Sequence, residues 1–308
     1  MTASALIAID WGTSNRRAWR IDASGAILDG RHDNEGLLAI KEARFAESLH
    51  GLIGDWLAQA PGVLVLMAGM VGSKRGWVEA PYLSAPLELE GLGQRLHPVA
   101  ELAGSAVRVV PGVCFKPDDR PPDVMRGEET QIYGALTLSN QDSALLLLPG
   151  THSKWAKVED GVLREFRTYM TGELFNVLRK HSILGQLMEG ELFAEEAFFH
   201  GLRVSRQAAS GGLLHDLFSV RTLGLFEQIA PTAGSSYLSG LLIGAELVDA
   251  CRHFPQAAAE TILTVGSAEL SALYRAAAGE FGLTLRIMDN DALFPAAMYR
   301  IAGSANLL

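Results

Sequence analysis

The sequence predicts an α/β protein of two lobes, built from duplicated βββαβα-type units with a cleft between them. Three observations predict it. A strand, a turn of small polar residues, a second strand and a hairpin occur near the N-terminus, and the same series returns from Ser143. Each series leads into helical patterns and a buried apolar strand, the alternation expected of α/β architecture. The 308 residues also suffice for two domains, since single cores stop growing near about 250–300 residues.

The elements follow in order. Residues 5–9, 16–22 and 26–32 read as three short strands, joined by a polar turn at 11–15 and by Ala23-Ser24-Gly25, whose residues suit a hairpin. Phe45, Leu49, Leu52, Ile53 and Trp56 recur at spacings of three and four and mark one face of a helix over 42–57. The continuous apolar run 63–68 reads as a strand covered on both faces. The Gly- and Pro-rich stretch 69–98 reads as a long functional loop. A strand near 107–110, a loop over PGVCFKPDDRPPDV and a helix from Met125 to Leu138 complete the first lobe, 1–138. The second lobe, 139–289, has strands at 143–148, 155–158 and 161–166 and helices at 171–181, 191–207, 213–219 and 235–252, with Ser235-Ser236 as capping candidates. A strand at 262–265, a helix to about Gly279 and a strand at 283–288 follow; the C-terminal helix, within 290–308, rejoins the first lobe.

Composition narrows the function. A formal net charge of -9 and a pI near 5.4 lack the basic face that nucleic acid or an anionic membrane requires. No segment reaches the about 18 uninterrupted apolar residues of a membrane helix, and no signal peptide is evident, so the expectation is a cytoplasmic protein. Cys114 and Cys251 lie far apart without a metal-ligand pattern and read as buried thiols.

Two turns carry the chemistry. Asp10-Trp11-Gly12-Thr13-Ser14-Asn15 offers one carboxylate, a glycine that permits close approach, and three side chains able to bind phosphate oxygens. Its carboxylate suits Mg²⁺, which takes one or two protein carboxylates and keeps several waters. Pro149-Gly150-Thr151-His152-Ser153-Lys154 repeats the Gly-Thr pair and adds a lysine, without the acid. A third element, Thr264 to Leu270, places Gly266-Ser267 between a strand and a helix N-terminus, where a ribose or purine can lie against backbone. Taken singly, each turn also reads as an ordinary capped connection.

In this order, the three elements resemble the phosphate-1, phosphate-2 and adenosine motifs of the actin-like ATPase superfamily of sugar kinases, Hsp70 and actin. Residues 125–131 and 291–300 would be its two connecting helices. More closely, IAIDWGTSNRRAW, MAGMVGSKRGWVEAPYL, VMRGEETQIYGA, LPGTHSKW, FRTYMTGEL and YLSGLLIGAE resemble 2-dehydro-3-deoxygalactonokinases along nearly the whole chain.

That resemblance implies ATP- and Mg²⁺-dependent phosphorylation of 2-dehydro-3-deoxy-D-galactonate to its 6-phosphate. Asp10 carries over as the Mg²⁺-organising acid, Gly12 to Asn15 and Gly150 to Ser153, with Lys154, as phosphate contacts, and Gly266 and Ser267 as the adenosine turn. The chain departs from the superfamily in having Leu148-Pro149 where phosphate-2 usually carries an acid. Gly127-Glu128-Glu129 resembles the Gly-x-Glu-Glu segment of related polyphosphatases, which favours Glu129 as general base with Glu128 next. Two acids favoured by a helix dipole are the bland alternative.

A sugar acid needs cations in an acidic protein. Arg126, Lys74, Arg75 and Arg16 are the candidates, arginine being preferred for bidentate contact, with Trp77 and Tyr82 as a pocket floor. His152 is expected to orient its turn. Glu195, Glu196 and His200 read as a solvated helix face. A sugar-acid kinase competes with a kinase for another sugar, with a phosphatase or polyphosphatase of the same fold, and with a non-catalytic sensor or filament protein. The phosphatase would need a basic channel and the sensor a basic DNA-binding helix, and neither is evident. The oligomeric state stays open, a homodimer included.

Overall fold

The computed structural model describes residues 4–190, 192–207 and 212–308. The chain divides into two compact units, Met1–Ser143 with Ala156–Phe166 and Asp289–Leu308, and Ala144–Trp155 with Arg167–Met288. The sequence reading assigned residues 156–166 to the second unit. They group with the first because Val162 and Leu163 pair with Glu88 and Leu87, Phe166 meets the Phe115 ring at 6.2 Å, and Arg120 bonds Glu165 at 3.3 Å.

In the first unit β1 (Ser4–Trp11), β2 (Arg16–Asp22) and β3 (Ile27–Asp33) form an antiparallel meander. Helix α1 (Phe45–Gln59) buries Phe45, Leu49, Ile53, Trp56 and Leu57, and returns the chain to β4 (Leu64–Gly69), which pairs in parallel with β1 and is buried at every residue. The loop region then forms β5 (Leu83–Ser84), β6 (Leu87–Glu88) and β7 (His97–Pro98), followed by β8 (Val107–Val109). The sheet order is β3-β2-β1-β4-β8-β7. Within the predicted loop 111–124, β9 (Val113–Phe115) and β10 (Asp123–Met125) pair antiparallel and β5 joins β9. Strands of two or three residues are too short to show a periodicity, so the sequence reads as loop there. Helix α2 (Glu128–Ser139) begins three residues later than predicted, because Met125 ends β10 and Gly127 turns at φ 107°.

Strand β11 (Ala144–Leu148) leads through a turn into β12 (Ser153–Glu159) and β13 (Val162–Tyr169), as β1 leads into β2 and β3. Helices α3 (Thr171–His181), α4 (Glu195–Gln207), α5 (Leu213–Leu217), α6 (Ser219–Leu225) and α7 (Gly234–His253) follow. Of the predicted 191–207 helix, residue 191 lies outside the described residues. The predicted 213–219 helix is two short ones that share Phe218 as cap. Ser235 and Ser236 are not caps: both lie inside α7, and Ser236 accepts the Ala194 N–H at 2.9 Å. Then β14 (Thr261–Thr264), α8 (Ala268–Glu280) and β15 (Thr284–Ile287) give parallel strands in the order β15-β14-β11. The parallel sets β1-β4-β8 and β11-β14-β15 thus repeat one plan. Helix α9 (Asn290–Ser304) returns to the first unit, where Phe294 packs on Trp19 at 5.2 Å.

Helices α2 and α9 cross where Gly134 has no side chain. A Cβ there would lie 2.2 Å from the Leu293 carbonyl oxygen. Gly134→Val should therefore force the helices apart and cost about 1–3 kcal/mol, while Gly51→Ala, in open space on α1, should stabilise by about 0.5–1 kcal/mol through helix propensity. Urea unfolding measures both; a neutral Gly134→Val would contradict the crossing.

Candidate active site

The hairpin register sorts the first unit's arginines. Asp10 stands opposite Arg17 and Trp11 opposite Arg16, and alternate strand residues face opposite ways. Arg16 is 1% exposed, stacks on Trp11 at 4.5 Å, and donates to Asp33 at 2.6 Å and Ser48 at 3.0 Å. Its guanidinium ties β2 to α1, which corrects its reading as a substrate contact. Arg17 instead donates to Asp10 at 2.7 Å and to Asp291 at 3.1 Å. Sequence reasoning missed Arg17, although counting residues across the four-residue turn pairs it with Asp10. Burial pushes the Asp10 carboxyl up, Arg17 pulls it down, and Glu128 adds to the rise.

The turn after Asp10 is held from outside. Gly36, Leu37 and Leu38 donate N–H groups to the Ser14, Gly12 and Thr13 carbonyls at 3.1, 2.9 and 3.1 Å. Gly36 is required, since a Cβ there would lie 2.3 Å from the Ser14 backbone. Thr13, Ser14 and Asn15 remain exposed, so a rigid turn presents them outward.

Backbone contact brings helix α2 to this turn. Gly69, at φ 96°, ends β4 so close to β1 that a Cβ would lie 2.7 Å from the Trp11 oxygen. One on Gly127 would lie 3.3 Å from Gly69 Cα. The two acids of the first helical turn therefore stand by the strand ends. Glu128 Oε2 accepts the Arg126 N–H at 2.9 Å, and both Glu129 oxygens accept the Gly127 N–H at 2.9 and 2.7 Å. Both acids thus satisfy N–H groups at a helix start, as the bland reading expects. Glu129 is also wholly buried, and desolvation with the charge of Glu128 raises its pKa to about 8 against the lowering pull of the Gly127 N–H and Arg126.

Arg126 lies 4.3 Å over the Tyr82 ring and donates Nη2 to the Ala80 carbonyl at 2.8 Å. Its Nε and Nη1 are buried without a hydrogen-bond partner. Space for the guanidinium depends on Gly72, whose Cβ would stand 3.0 Å from Nη1. Tyr82 is a floor for this guanidinium. Trp77 is not: its ring stacks on Phe45 at 6.4 Å and packs against the core. Lys74 and Arg75 are exposed.

In the second unit the turn Pro149 to Lys154 meets the start of α3. Glu173 donates its N–H to the Thr151 carbonyl at 2.9 Å, its carboxylate bonds the His152 ring, and Gly172 lets the helix approach so closely that a Cβ would lie 2.5 Å from the Gly150 oxygen. Gly150 borders open space, and Thr151 and His152 are exposed. Two side chains assigned to phosphate point inward instead. Ser153 is fully buried and its hydroxyl donates to Glu246 at 2.7 Å; Lys154 is 3% exposed and donates to the His152 carbonyl at 3.3 Å. The first four residues of β12 are all buried, so both faces of the strand are covered there and adjacent side chains are enclosed whatever their polarity. Gly266 sits with its would-be Cβ 3.3 Å from the Pro149 oxygen, and Ser267 caps α8 by accepting the Leu270 N–H at 3.3 Å. The sequence reading passed over Glu246, though a lone acid inside the apolar run LLIGAELV is the signal that finds it.

The raised pKa of Glu129 has a measurable sign. The folded protein keeps the proton up to about pH 8, whereas the unfolded chain loses it near 4.5, so this group's contribution is fully present below 4.5 and is lost as pH rises through 8. Between those limits wild type should lose up to about 1.4 kcal/mol per pH unit relative to Glu129→Gln. Parallel stability curves for the two proteins would contradict the burial.

A family model described as 2-keto-3-deoxy-galactonokinase matches residues 10–301. The 2-dehydro-3-deoxygalactonokinase of Escherichia coli (strain K12) is 36% identical over 296 residues, covering 96% of this chain and 97% of that protein. The Rhizobium meliloti (strain 1021) protein named probable 2-dehydro-3-deoxygalactonokinase is 36% identical over 293 residues, 94% of each. A crystal structure of a Sinorhizobium meliloti protein, described provisionally as a 2-dehydro-3-deoxygalactonokinase, superposes with a TM-score of 0.86 at 35% identity, covering 96% of this chain and 98% of that one. Gluconate kinase from Lactobacillus acidophilus, at 9% identity and a TM-score of 0.52 over 98% of this chain and 89% of its own, shares the fold alone. The chain shares the fold of that gluconate kinase, and it belongs to the 2-keto-3-deoxy-galactonokinase family.

Proposed function

We propose that this protein transfers the γ-phosphoryl group of ATP to the terminal hydroxyl of 2-dehydro-3-deoxy-D-galactonate, giving the 6-phosphate and ADP. The observation that carries the substrate class, beside the family match, is Arg126: a guanidinium stacked on Tyr82 with two buried nitrogens unpartnered. Unsatisfied buried donors are costly, and a carboxylate supplies charged acceptors for guanidinium N–H groups. This supports a sugar acid over a neutral sugar.

The residues divide the work. Each unit carries a turn that suits phosphate, Gly12–Asn15 in the first and Gly150–Thr151–His152 in the second, and in the second Gly266 and the α8 start suit a nucleoside. Arg17 is a cation in contact with Asp10. Among the described residues no group of three His, Cys, Asp or Glu could hold a metal by itself, which fits Mg²⁺ held by Asp10, water and the nucleotide phosphates. When bound, that ion would neutralise charge on the transferring phosphoryl group.

The acceptor hydroxyl must lose a proton. Glu129 is the base in this reading: with its pKa raised to about 8 it is mostly protonated at neutral pH, and its ionised form binds a proton more strongly than an ordinary carboxylate does. One observation favours Glu128 instead: it is partly exposed while Glu129 is enclosed. The neighbour then holds the α2 start in place.

Two predictions follow from these roles. Turnover in a coupled ADP assay should fall about 10²- to 10⁴-fold in the variant lacking the base, Glu129→Gln or Glu128→Gln; near-normal turnover in both would remove the pair from the chemistry. Arg126→Ala should raise KM for the keto acid by about 10- to 100-fold, as for a lost charged hydrogen-bond pair, with Arg126→Lys recovering part of it. Across a panel of hexoses, hexonates and 2-keto-3-deoxy acids, turnover on neutral hexoses alone would overturn the substrate.

A further inference from the structure

Glu246 lies in α7, 3% exposed, with both carboxylate oxygens fully used. Oε1 accepts from Ser153 Oγ at 2.7 Å and Trp155 Nε1 at 2.9 Å. Oε2 accepts from Thr171 Oγ1 and from Tyr274 OH at 2.6 Å. Four donors, from β12, α3 and α8, thus converge on one buried carboxyl, whose pKa burial pushes up while the four hydrogen bonds pull it down.

What the donors belong to gives the arrangement its meaning. Ser153 closes the turn that begins at Pro149. Thr171 is the first residue of α3, the helix whose next two residues touch Gly150 and hold the Thr151 carbonyl. Tyr274 is two turns into α8, which starts from the Gly266–Ser267 turn. Gly266 in turn lies against the Pro149 oxygen. We propose that Glu246 is the positioning residue of the nucleotide side, the carboxylate through which the phosphate turn at Gly150–Thr151 and the adenosine turn at Gly266–Ser267 are held in register. This rests on the reading of those two turns as nucleotide contacts. Glu246 acts through its donors and touches no substrate.

The chemistry of the donors makes the substitution Glu246→Gln informative. The Trp155 indole N–H can only donate, so it selects the amide oxygen for the Ser153–Trp155 side. The amide NH₂ then faces Thr171 and Tyr274, whose hydroxyls can turn to accept. The variant keeps every group partnered and should fold, with the α3 and α8 side held by neutral bonds in place of charge-assisted ones, which are about twice as strong.

The test compares wild type with Glu246→Gln, Thr171→Val and Tyr274→Phe by steady-state kinetics and by calorimetric titration with ADP. Leu202→Ala, a core change in α4 outside the network, controls for lost stability. Each network variant is expected to raise KM for ATP and the ADP dissociation constant about three- to tenfold, the effect of one weakened buried hydrogen bond, while KM for the keto acid stays within about twofold. The Glu246→Gln/Thr171→Val double variant should be no worse than the poorer single one, because both act through one oxygen. Loss of thermal stability in the network variants with unchanged ATP and ADP parameters, or equal ATP effects in Leu202→Ala, would overturn the proposal and leave Glu246 as packing. Failure of wild type to bind ADP would overturn the nucleotide reading itself, a result distinct from either.

Discussion

The contact of three backbone segments, at Trp11, Gly69 and Gly127, is the constraint on which the first unit's site depends. A Cβ on Gly69 would lie 2.7 Å from the Trp11 oxygen, and one on Gly127 3.3 Å from Gly69 Cα, and both glycines have positive φ. Any side chain at either position would push the start of α2 away from the ends of β1 and β4. The glycines thereby place Glu128 and Glu129 near Asp10 in a partly dehydrated setting, and the shifts of Asp10 and Glu129 are consequences of that approach. A helix start with two acids is common; one pressed against two parallel strand ends is not needed for helix stability.

The chain is acidic yet its proposed ligands are anions. Local geometry resolves the conflict. Arg17 stands at Asp10, Arg126 lies in a slot made by Gly72 and Tyr82, and the turn after Asp10 is braced by N–H groups from 36–38, so that Thr13, Ser14 and Asn15 face outward. Two arginines and outward-facing polar side chains thus stand at these positions, and charges on exposed surface elsewhere are screened by solvent. Net charge therefore excludes diffuse polyanion binding without excluding a small anion.

The second unit reaches its order differently. Its turn contains no acid, and the rigidity that Gly36 and its neighbours supply to the first turn comes here from the start of α3 and from hydrogen bonds into the core. The duplication thus conserves the strand plan and diverges in how each turn is braced.

Much of the fold was legible from the chain. The repeat of strand, turn, strand and hairpin, the helical spacing from Phe45 to Trp56, and the apolar runs at 63–68 and 143–148 are local patterns, and local patterns set secondary structure and its order. Asp10, Glu128, Glu129, Arg126 and the glycine turns were visible for the same reason, since each stands in a contiguous motif. Tertiary structure alone decided which of Arg16 and Arg17 meets Asp10, that Trp77 and the Ser153 hydroxyl turn into the core, that residues 156–166 group with the first unit, and that Glu246 gathers donors from three elements. These outcomes depend on strand register and on contacts between residues far apart in sequence. One residue's slip in register reverses every side chain, and no single stretch of sequence encodes the partner on the other side.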